Sequence, residues 1–373
     1  MEIDTNIQKK GVVDLNAKVY LVPVSDGAPL AEQCAAMAKA YEAIGADQAI
    51  AKKDFVAIKI HVGEKKNTTH IKPEVIKVLV DKIHARRGQA FLTETSTLYK
   101  GERENAVKHI LHAHRHGFSI ENTGAPFIMS DGLAGNTEYE IAIGGELHQS
   151  VKVAREIVAA DAMVVVSHPT GHPAAGLGAC IKNLGMGLAS RMGKMRQHSS
   201  MLPEVNTKAC QYCQKCIKWC PQDAIIEQEG KAYIVGEKCI GCGECLAVCR
   251  FDAVKYDWNA ESGFMQRSMA EHAYGIVKDK QSQGKVIYFN VMVDMTKDCD
   301  CFSVAQEKCI PDMGILVSAD PVAIDKATLD LTAQAHGKSL AELSYAHHDA
   351  LIQIAHGAKI GMGTMDYELI VVE

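Results

Sequence analysis

The sequence has no run of about 18 consecutive apolar residues, and this absence argues against a membrane-spanning helix. It also lacks the basic-then-apolar start of a secretory signal peptide, so we expect a cytoplasmic protein. Acidic side chains outnumber basic ones by 45 to 40, which gives a formal net charge of −5 and argues against nucleic-acid binding. With 47% hydrophobic residues among 373, the chain can bury a large core, and its length predicts two domains or one domain plus a module.

Cysteine, by contrast, is abundant. The chain has 13 cysteines, and an odd number without an export signal does not indicate a disulfide framework. Thiols kept reduced in the cytoplasm usually serve as metal ligands or in catalysis. The sequence therefore predicts that most of these cysteines bind metal or react.

Eight of the cysteines form two runs with the spacing C-x2-C-x2-C-x3-C, and the second run lies 29 residues after the first. This duplication is typical of bacterial ferredoxins with two clusters, in which the fourth cysteine of each run binds the other cluster. A zinc ribbon is the alternative, but zinc needs one set of four thiolates rather than two interleaved sets. The predicted ligands are Cys210, Cys213, Cys216 and Cys249 for the first [4Fe–4S] cluster, and Cys239, Cys242, Cys245 and Cys220 for the second.

The ferredoxin-like unit, residues 206–257, interrupts a chain in which strand and helix signals alternate. Such alternation predicts an α/β body with a mainly parallel sheet and helices on both faces, formed by residues 1–205 and 258–373. The insert itself is predicted to be a small α+β domain. The predicted strands are Ala17–Val24, Phe55–His61, Gln89–Thr93, Ala162–Ser167, Lys285–Val293 and Ile315–Val317. Predicted helices include Pro73–Arg87, Arg103–Gly117, Pro321–Gln334 and Leu340–His356.

Polar motifs follow several of these strands, where ligands of α/β sheets usually bind. His61 comes at the end of one strand, and His168 and His172 follow another. A glycine-rich turn then opens a helix, and its backbone N–H groups predict a site for an anionic ligand, although its spacing fits neither a Rossmann fingerprint nor a Walker loop. Glycines that only permit tight packing, and histidines with structural hydrogen bonds, are the alternatives. The predicted anion-binding residues are Gly176, Gly178, Lys182 and Asn183.

A third motif, Cys299-Asp-Cys301, follows the strand at 285–293. Two thiols one residue apart can bind one metal ion or act as a redox pair, and a disulfide between them would be strained and easily reduced. The charges of Asp298 and Asp300 oppose thiolate formation unless a cation is bound. Incidental loop cysteines are the alternative. The predicted ligands of a third metal are Cys299, Cys301, Cys309, His61, His168 and His172, and the predicted catalytic residues are Cys299, Cys301, His172 and Lys182.

Two aspartates lie near the start of the helix predicted over Pro321–Gln334. Asp320 precedes Pro321 and is expected to cap the helix, whereas Asp325 has no such role and is expected to face a site. We further expect His61, His172 and Cys299 to converge at one edge of the sheet.

Taken together, these motifs resemble those of the uncharacterised iron–sulfur centre proteins within the domain of unknown function 362. The similar segments are residues 58–73, 167–187, the double cysteine motif, 298–302 and 318–331. The resemblance implies an α/β body with a ferredoxin insert, [4Fe–4S] binding, and an origin mostly among anaerobic bacteria and archaea. It implies no reaction and no catalytic residue.

Three functions remain open. The first is a reductase or accessory reductase, in which electrons from two clusters reach a strand-end site that holds a dithiol, a metal or an anionic ligand. The second is an electron carrier that docks to a larger redox complex without chemistry of its own. The third is a protein whose clusters are structural or sense oxygen. The first two functions require a redox partner protein.

Overall fold

The computed structural model describes residues 17–198, 202–255 and 261–373. Within these ranges the β-strands are β1 Ala17–Pro23, β2 Phe55–Lys59, β3 Gln89–Glu94, β4 Phe127–Met129, β5 Glu138–Ala142, β6 Ser150–Ala154, β7 Ala162–Ser167, β8 Thr170–His172, β9 Gly176–Gly178, β10 Glu204–Val205, β11 Ile225–Gln228, β12 Lys231–Ile234, β13 Val254–Lys255, β14 Val286–Met292, β15 Gly314–Ser318 and β16 Tyr367–Val371. The α-helices are α1 Leu30–Ala43, α2 Pro73–Ala85, α3 Ala106–Arg115, α4 Ile120–Thr123, α5 Arg155–Ala159, α6 Cys180–Gly185, α7 Arg191–His198, α8 Lys215–Trp219, α9 Glu244–Val248, α10 Ser262–Ser282, α11 Pro321–His336, α12 Leu340–Tyr345 and α13 Leu351–Lys359. None of the helices in these ranges is long and apolar enough to span a membrane.

One sheet contains eight of the strands, in the order β16-β1-β15-β14-β7-β2-β3-β4. The five strands from β14 to β4 are parallel to one another. Strand β15 runs antiparallel to its neighbours β14 and β1, and β1 is parallel to β16. The prediction of an α/β body with a mainly parallel sheet is confirmed.

Helices cover both faces of this sheet. Successive residues of a strand point to opposite faces, and in β7 Val164 packs in one apolar cluster with α1 and α2. Its neighbour Val165 packs in a second cluster with α6, α10 and α11. Because both faces of β7 are buried, its sequence is continuously apolar rather than alternating.

The predicted strands are all present, with ends that differ by no more than two residues, but two helices differ from prediction. The region 340–356 forms two helices rather than one, because a capping box of Ser339 and Glu342 fixes the short α12 before a turn leads into α13. Helix α3 begins only at Ala106, since the Asn105 side chain caps it, and Arg103 therefore lies in the preceding loop. Asp320 caps α11 as predicted.

The cysteine-rich insert forms a small unit of α8, α9 and two two-stranded sheets, β10-β13 and β11-β12. It has an apolar core of its own, in which Ile225, Ile234 and Val254 are buried against cysteine side chains. The antiparallel pairing of β10 with β13 places the incoming and outgoing chain side by side. The boundaries 206 and 257 stay a prediction, and Asp257 lies outside the described residues.

Candidate active site

A cavity of about 850 Å³ lies beyond the carboxyl ends of β2, β3, β7 and β14. Parallel strands bring these ends to the same edge of the sheet, so segments far apart in sequence meet there. The predicted convergence of His61, His172 and Cys299 is confirmed, because all three line this cavity. Further predicted residues that line it are His168, Gly178, Lys182, Asn183 and Cys301.

Cys299 is a buried thiol with several donors at its sulfur. Lys182 Nζ lies 3.0 Å from Cys299 Sγ, and the backbone N–H of Cys301 donates to the same sulfur at 3.3 Å. A hydrogen bond from the Cys301 thiol, together with Lys182, lowers the pKa of Cys299 to about 5 despite burial. The same hydrogen bond raises the pKa of Cys301 well above that of an ordinary thiol. At neutral pH the pair is therefore a thiolate at Cys299 and a thiol at Cys301.

His168 and Asp300 form a buried ion pair beside these thiols. His168 Nδ1 lies 2.8 Å from Asp300 Oδ2, and Nε2 lies 2.9 Å from the Val293 carbonyl oxygen. Because both partners are acceptors, the ring donates at both nitrogens, and the pKa of His168 is raised although burial lowers it. Both ring nitrogens of His168 are thus engaged within the protein, and its assignment as a metal ligand stays a prediction. Asp300 opposes the Cys299 thiolate as expected, but Cys301 and Lys182 outweigh it.

His61 and His172 are two neutral imidazoles at the cavity wall. Nδ1 of His61 accepts the Gly63 N–H at 3.0 Å, and Nδ1 of His172 accepts the Ala174 N–H at 3.3 Å. Burial holds the pKa of both rings well below the usual range. Each ring therefore carries its proton on Nε2, and Nε2 is the atom that can donate a hydrogen bond to a ligand.

Two backbone donors of the glycine-rich turn are already bonded within the protein. The backbone N–H groups of Cys180 and Ile181, at the start of α6, each donate to the carboxylate of Asp325 at 2.8 Å. An internal carboxylate thus takes the place that an anionic ligand would occupy. Gly176 lies outside the cavity lining, as the first residue of β9, and the Asn183 amide donates to the end of β7. The prediction that Asp325 faces a site is wrong for the same reason.

The predicted third metal site is not assembled either. Cys309 is exposed and lies outside the cavity lining, since the loop turns away so that its backbone N–H bonds the Met295 carbonyl oxygen. The described residues contain no group of three or more His, Cys, Asp or Glu side chains placed around a single metal ion. Of the three cysteines in this region, only Cys299 and Cys301 remain together, as a dithiol.

Several charged residues of the cavity escaped the sequence analysis. Arg103 Nε donates to Glu64 Oε1 at 2.8 Å, and its Nη1 lies 3.4 Å from Glu94 Oε1. Lys59 Nζ lies 3.7 Å from the same oxygen of Glu94, and these four side chains are at most 5% exposed. A charged residue that ends an otherwise apolar strand, as Lys59 and Glu94 do, is the signal that identifies them.

Two smaller cavities lie within the insert, and each is lined by four cysteines. One is lined by Cys210, Cys213, Cys216 and Cys249, and the other by Cys220, Cys239, Cys242 and Cys245. This is the grouping that the sequence predicts for the two clusters, and all 13 cysteines are free thiols. Four thiolates around a cavity with apolar walls fit the donor set of a [4Fe–4S] cluster, although ligation itself stays a prediction.

Helix α9 of the insert contacts the loop that lines the large cavity. Leu246 packs on Leu98 and Met195, and Lys100 Nζ donates to the Cys249 carbonyl oxygen at 2.9 Å. Both Leu98 and Lys100 line the large cavity. The segment at 98–100 therefore connects the cysteine-rich insert with the space that contains the thiol pair.

Alkylation should detect the Cys299 thiolate. We expect iodoacetamide to modify Cys299 at a rate that changes little between pH 6 and 8, because its pKa of about 5 keeps it ionised there. The sulfur of Cys309 is partly desolvated, which raises its pKa above the usual thiol value, so its modification should instead rise steeply with pH. Residue-resolved mass spectrometry measures both rates. In Lys182→Met the pH dependence of the Cys299 modification rate should move to higher pH. A Cys299 rate that falls tenfold in the unaltered protein for each unit by which the pH is lowered would contradict the assignment.

Comparison with curated proteins finds ferredoxins that match only the cysteine-rich part of the chain. The chain is 43% identical over 42 residues to a protein named Ferredoxin 7Fe from Hydrogenibacillus schlegelii, which covers 11% of this chain and 54% of that protein. It is 35% identical over 66 residues to an uncharacterised ferredoxin from Methanocaldococcus jannaschii, covering 17% of this chain and 37% of the relative. The chain thus spans about half or less of the length of these relatives.

The remaining comparisons cover about three quarters of the chain. Among solved structures, the lactate racemase apoprotein from Thermoanaerobacterium thermosaccharolyticum aligns with a TM-score of 0.38 and 13% identity, covering 75% of this chain and 52% of the other. A family model described as Domain of unknown function (DUF362) matches residues 56–330. Because this match covers well over half of the 373 residues, the chain belongs to the DUF362 family.

Proposed function

We propose that this chain is an iron–sulfur reductase in which the Cys299–Cys301 pair receives electrons and passes them to a small molecule in the large cavity. The observation that carries the proposal is the environment of the Cys299 sulfur. It lies 3.0 Å from Lys182 Nζ and accepts a hydrogen bond from the Cys301 thiol, in a cavity that adjoins the insert. Ordinary electron transfer needs no such thiolate, whereas dithiol chemistry does.

The insert would hold the electron source. The four cysteines around each of its cavities are the ligands we propose for two [4Fe–4S] clusters, and the likeness to ferredoxins supports this assignment. When bound, such clusters supply one electron each.

The residues of the cavity account for both states of the thiol pair. Reduction of a Cys299–Cys301 disulfide takes two electrons and one proton: the S–S bond breaks, Cys299 leaves as thiolate, and Cys301 takes the proton. The ammonium of Lys182 and the hydrogen bond from Cys301 stabilise that thiolate. A disulfide across one intervening residue is strained, which favours its reduction.

The insert also offers a face for an electron donor. Cys213, one of the proposed ligands, is exposed, and residues 206–222 contain Lys208, Lys215 and Lys218 but no acidic residue. The chain as a whole carries a net charge of −5, so this basic segment, which ends at Asp223, is a local feature. Complementary charge then favours an acidic donor protein at this face.

Charge reversal tests the donor face. We expect Lys208→Glu/Lys215→Glu/Lys218→Glu to slow reduction by an acidic ferredoxin at least about tenfold at low salt, because steering is lost, and high salt should remove the difference. Stopped-flow absorbance measures the rate. Reduction by dithionite should be unchanged. The matched control, Lys52→Glu/Lys53→Glu/Lys338→Glu, alters the same net charge at exposed positions outside the insert. Equal slowing in both variants would argue against a local docking face.

An anaerobic reductive titration of the intact chain, with iron analysis, tests the proposed function. Two clusters contain about eight iron atoms and take about two electrons, and a disulfide takes about two more. An uptake of about four electrons supports the reductase, whereas about two indicates a carrier without chemistry of its own. Clusters that cannot be reduced reversibly indicate a structural role.

A further inference from the structure

We propose that the large cavity contains an oxyanion subsite formed by Lys59 and Lys194, and that its ligand is a small organic anion with an apolar body. This inference rests on the proposed function and deepens it, because it takes that ligand to be a reducible molecule that accepts the two electrons and one proton released when the Cys299 thiolate and the Cys301 thiol form their disulfide. The two lysines, rather than the glycine-rich turn, are the anion-binding groups in this proposal, because the backbone donors of that turn are already bonded to Asp325.

Lys59 is a buried cation that bonds two neutral oxygens and has one carboxylate, that of Glu94, within ion-pair distance. Its Nζ donates to the Ile60 carbonyl oxygen at 2.5 Å and to Asn183 Oδ1 at 2.6 Å. Glu94 is the nearest carboxylate, at 3.7 Å, and it is already engaged by Arg103 and by His109. An ammonium has three N–H groups, and two of those of Lys59 bond Ile60 and Asn183, so the third can serve the more distant Glu94 or a group in the cavity that this residue lines.

Lys194, on helix α7, also donates its hydrogen bonds to uncharged oxygens. Its Nζ donates to Thr95 Oγ1 and, at 2.9 Å, to the Ala189 carbonyl oxygen, and both acceptors are uncharged. Asp131 contributes attraction, but its carboxylate accepts from the Ser96 backbone N–H at 2.7 Å. Lys194 is buried and lines the cavity. Burial lowers the pKa of Lys59 to about 8 and that of Lys194 to about 7, so Lys194 is only partly charged at neutral pH. A bound anion would favour the charged form of both side chains and offset the cost of burying them.

The segment around Gly187 bonds both ammonium groups, that of Lys59 through Asn183 and that of Lys194 through Ala189. The Gly187 carbonyl oxygen accepts from Thr95 Oγ1, the same hydroxyl that accepts from Lys194. A Cβ at Gly187 would lie 2.9 Å from Lys59 Nζ and 2.1 Å from the Asn183 carbonyl oxygen, so the position requires glycine. Both lysines are thus held by one segment, as a two-point site for a carboxylate or a similar oxyanion requires.

The rest of the cavity indicates the kind of molecule that carries the anion. Its walls include Leu98, Met186, Met265 and Met269, which offer apolar contact, whereas Lys182 and Cys299 mark the reactive end. A volume of about 850 Å³ is in the range of small-ligand pockets and excludes a folded protein. The substrate class is therefore a small oxyanion-bearing organic molecule.

Benzoate and benzamide test this subsite in the intact, oxidised protein. They share one apolar ring and differ in charge, so calorimetry should find benzoate bound at least about tenfold more tightly. Lys59→Met and Lys194→Met should each weaken benzoate binding by at least about tenfold, whereas Lys65→Met, at an exposed position of the cavity rim, should change it less than twofold.

Absence of benzoate binding, or equal affinity for benzamide, would overturn the subsite without recourse to any variant. Equal binding in the two lysine variants would overturn the residue assignment. The proposed function fails separately, through the electron count of the intact chain. Benzoate binding retained in Cys299→Ser shows that the subsite does not depend on the thiol pair.

Discussion

Serine at position 299 is expected to halve the number of electrons that the oxidised protein takes up. The unaltered chain should accept about four, one at each of two clusters and two at the Cys299–Cys301 disulfide, and Cys299→Ser should accept about two because no disulfide can form. Cys301→Ser should give the same value, since either thiol alone cannot store an electron pair. Anaerobic dithionite titration, followed by visible absorbance and thiol counting, measures the uptake.

Cys309→Ser is the matched control for this experiment. Cys309 belongs to the same stretch of chain but is exposed and lies outside the cavity, so its variant should still accept about four electrons. Iron content should be the same in all variants, because none of these three cysteines lines the insert cavities. An unchanged uptake in Cys299→Ser would remove the dithiol from the function.

Loss of Arg103 is expected to produce the largest change in stability. Arg103 bonds both Glu64 and Glu94, all three side chains are at most 5% exposed, and Arg103→Met would leave two buried carboxylates without this partner. Breaking a buried ion pair from one side costs about 3–5 kcal/mol of unfolding free energy. Urea denaturation followed by circular dichroism, under anaerobic conditions, measures the difference.

Arg115→Met provides the comparison for that measurement. Arg115 pairs with Glu102 at 3.3 Å, but its side chain is 63% exposed, and such surface pairs contribute about 0–1 kcal/mol. Equal losses in the two variants would mean that burial of the Arg103 network contributes nothing measurable.

The sequence was sufficient to predict where the candidate site lies. Buried parallel strands such as β7 have a continuous apolar signature, and the polar residues that follow them must meet at one edge of the sheet. His61, His172 and Cys299 could be assigned to one cavity on that basis alone. The cysteine spacing likewise predicted which four residues surround each insert cavity.

The partners within the site could not be predicted, because they depend on tertiary packing. Asp325 caps α6 from 145 residues away, and Lys182 reaches Cys299 across 117 residues, and no local pattern marks either contact. For Cys309 the sequence predicted a contact that the structure does not form. It is near Cys301 in sequence, yet the bridge between Thr296 and Lys308 folds the loop so that Cys309 leaves the cavity.

The pairing of β10 with β13 has a consequence for how such a chain can arise. Glu204 pairs with Lys255, so the chain enters and leaves the insert at adjacent positions. With respect to the body, the insert is therefore equivalent to a short surface loop. Lengthening a loop whose ends already meet costs little conformational entropy, about 0.6 kcal/mol for each doubling. An electron-transfer domain could therefore be gained or lost at the β10–β13 pair while the sheet and its cavity stayed intact. The source of electrons could then change in evolution independently of the site in the body.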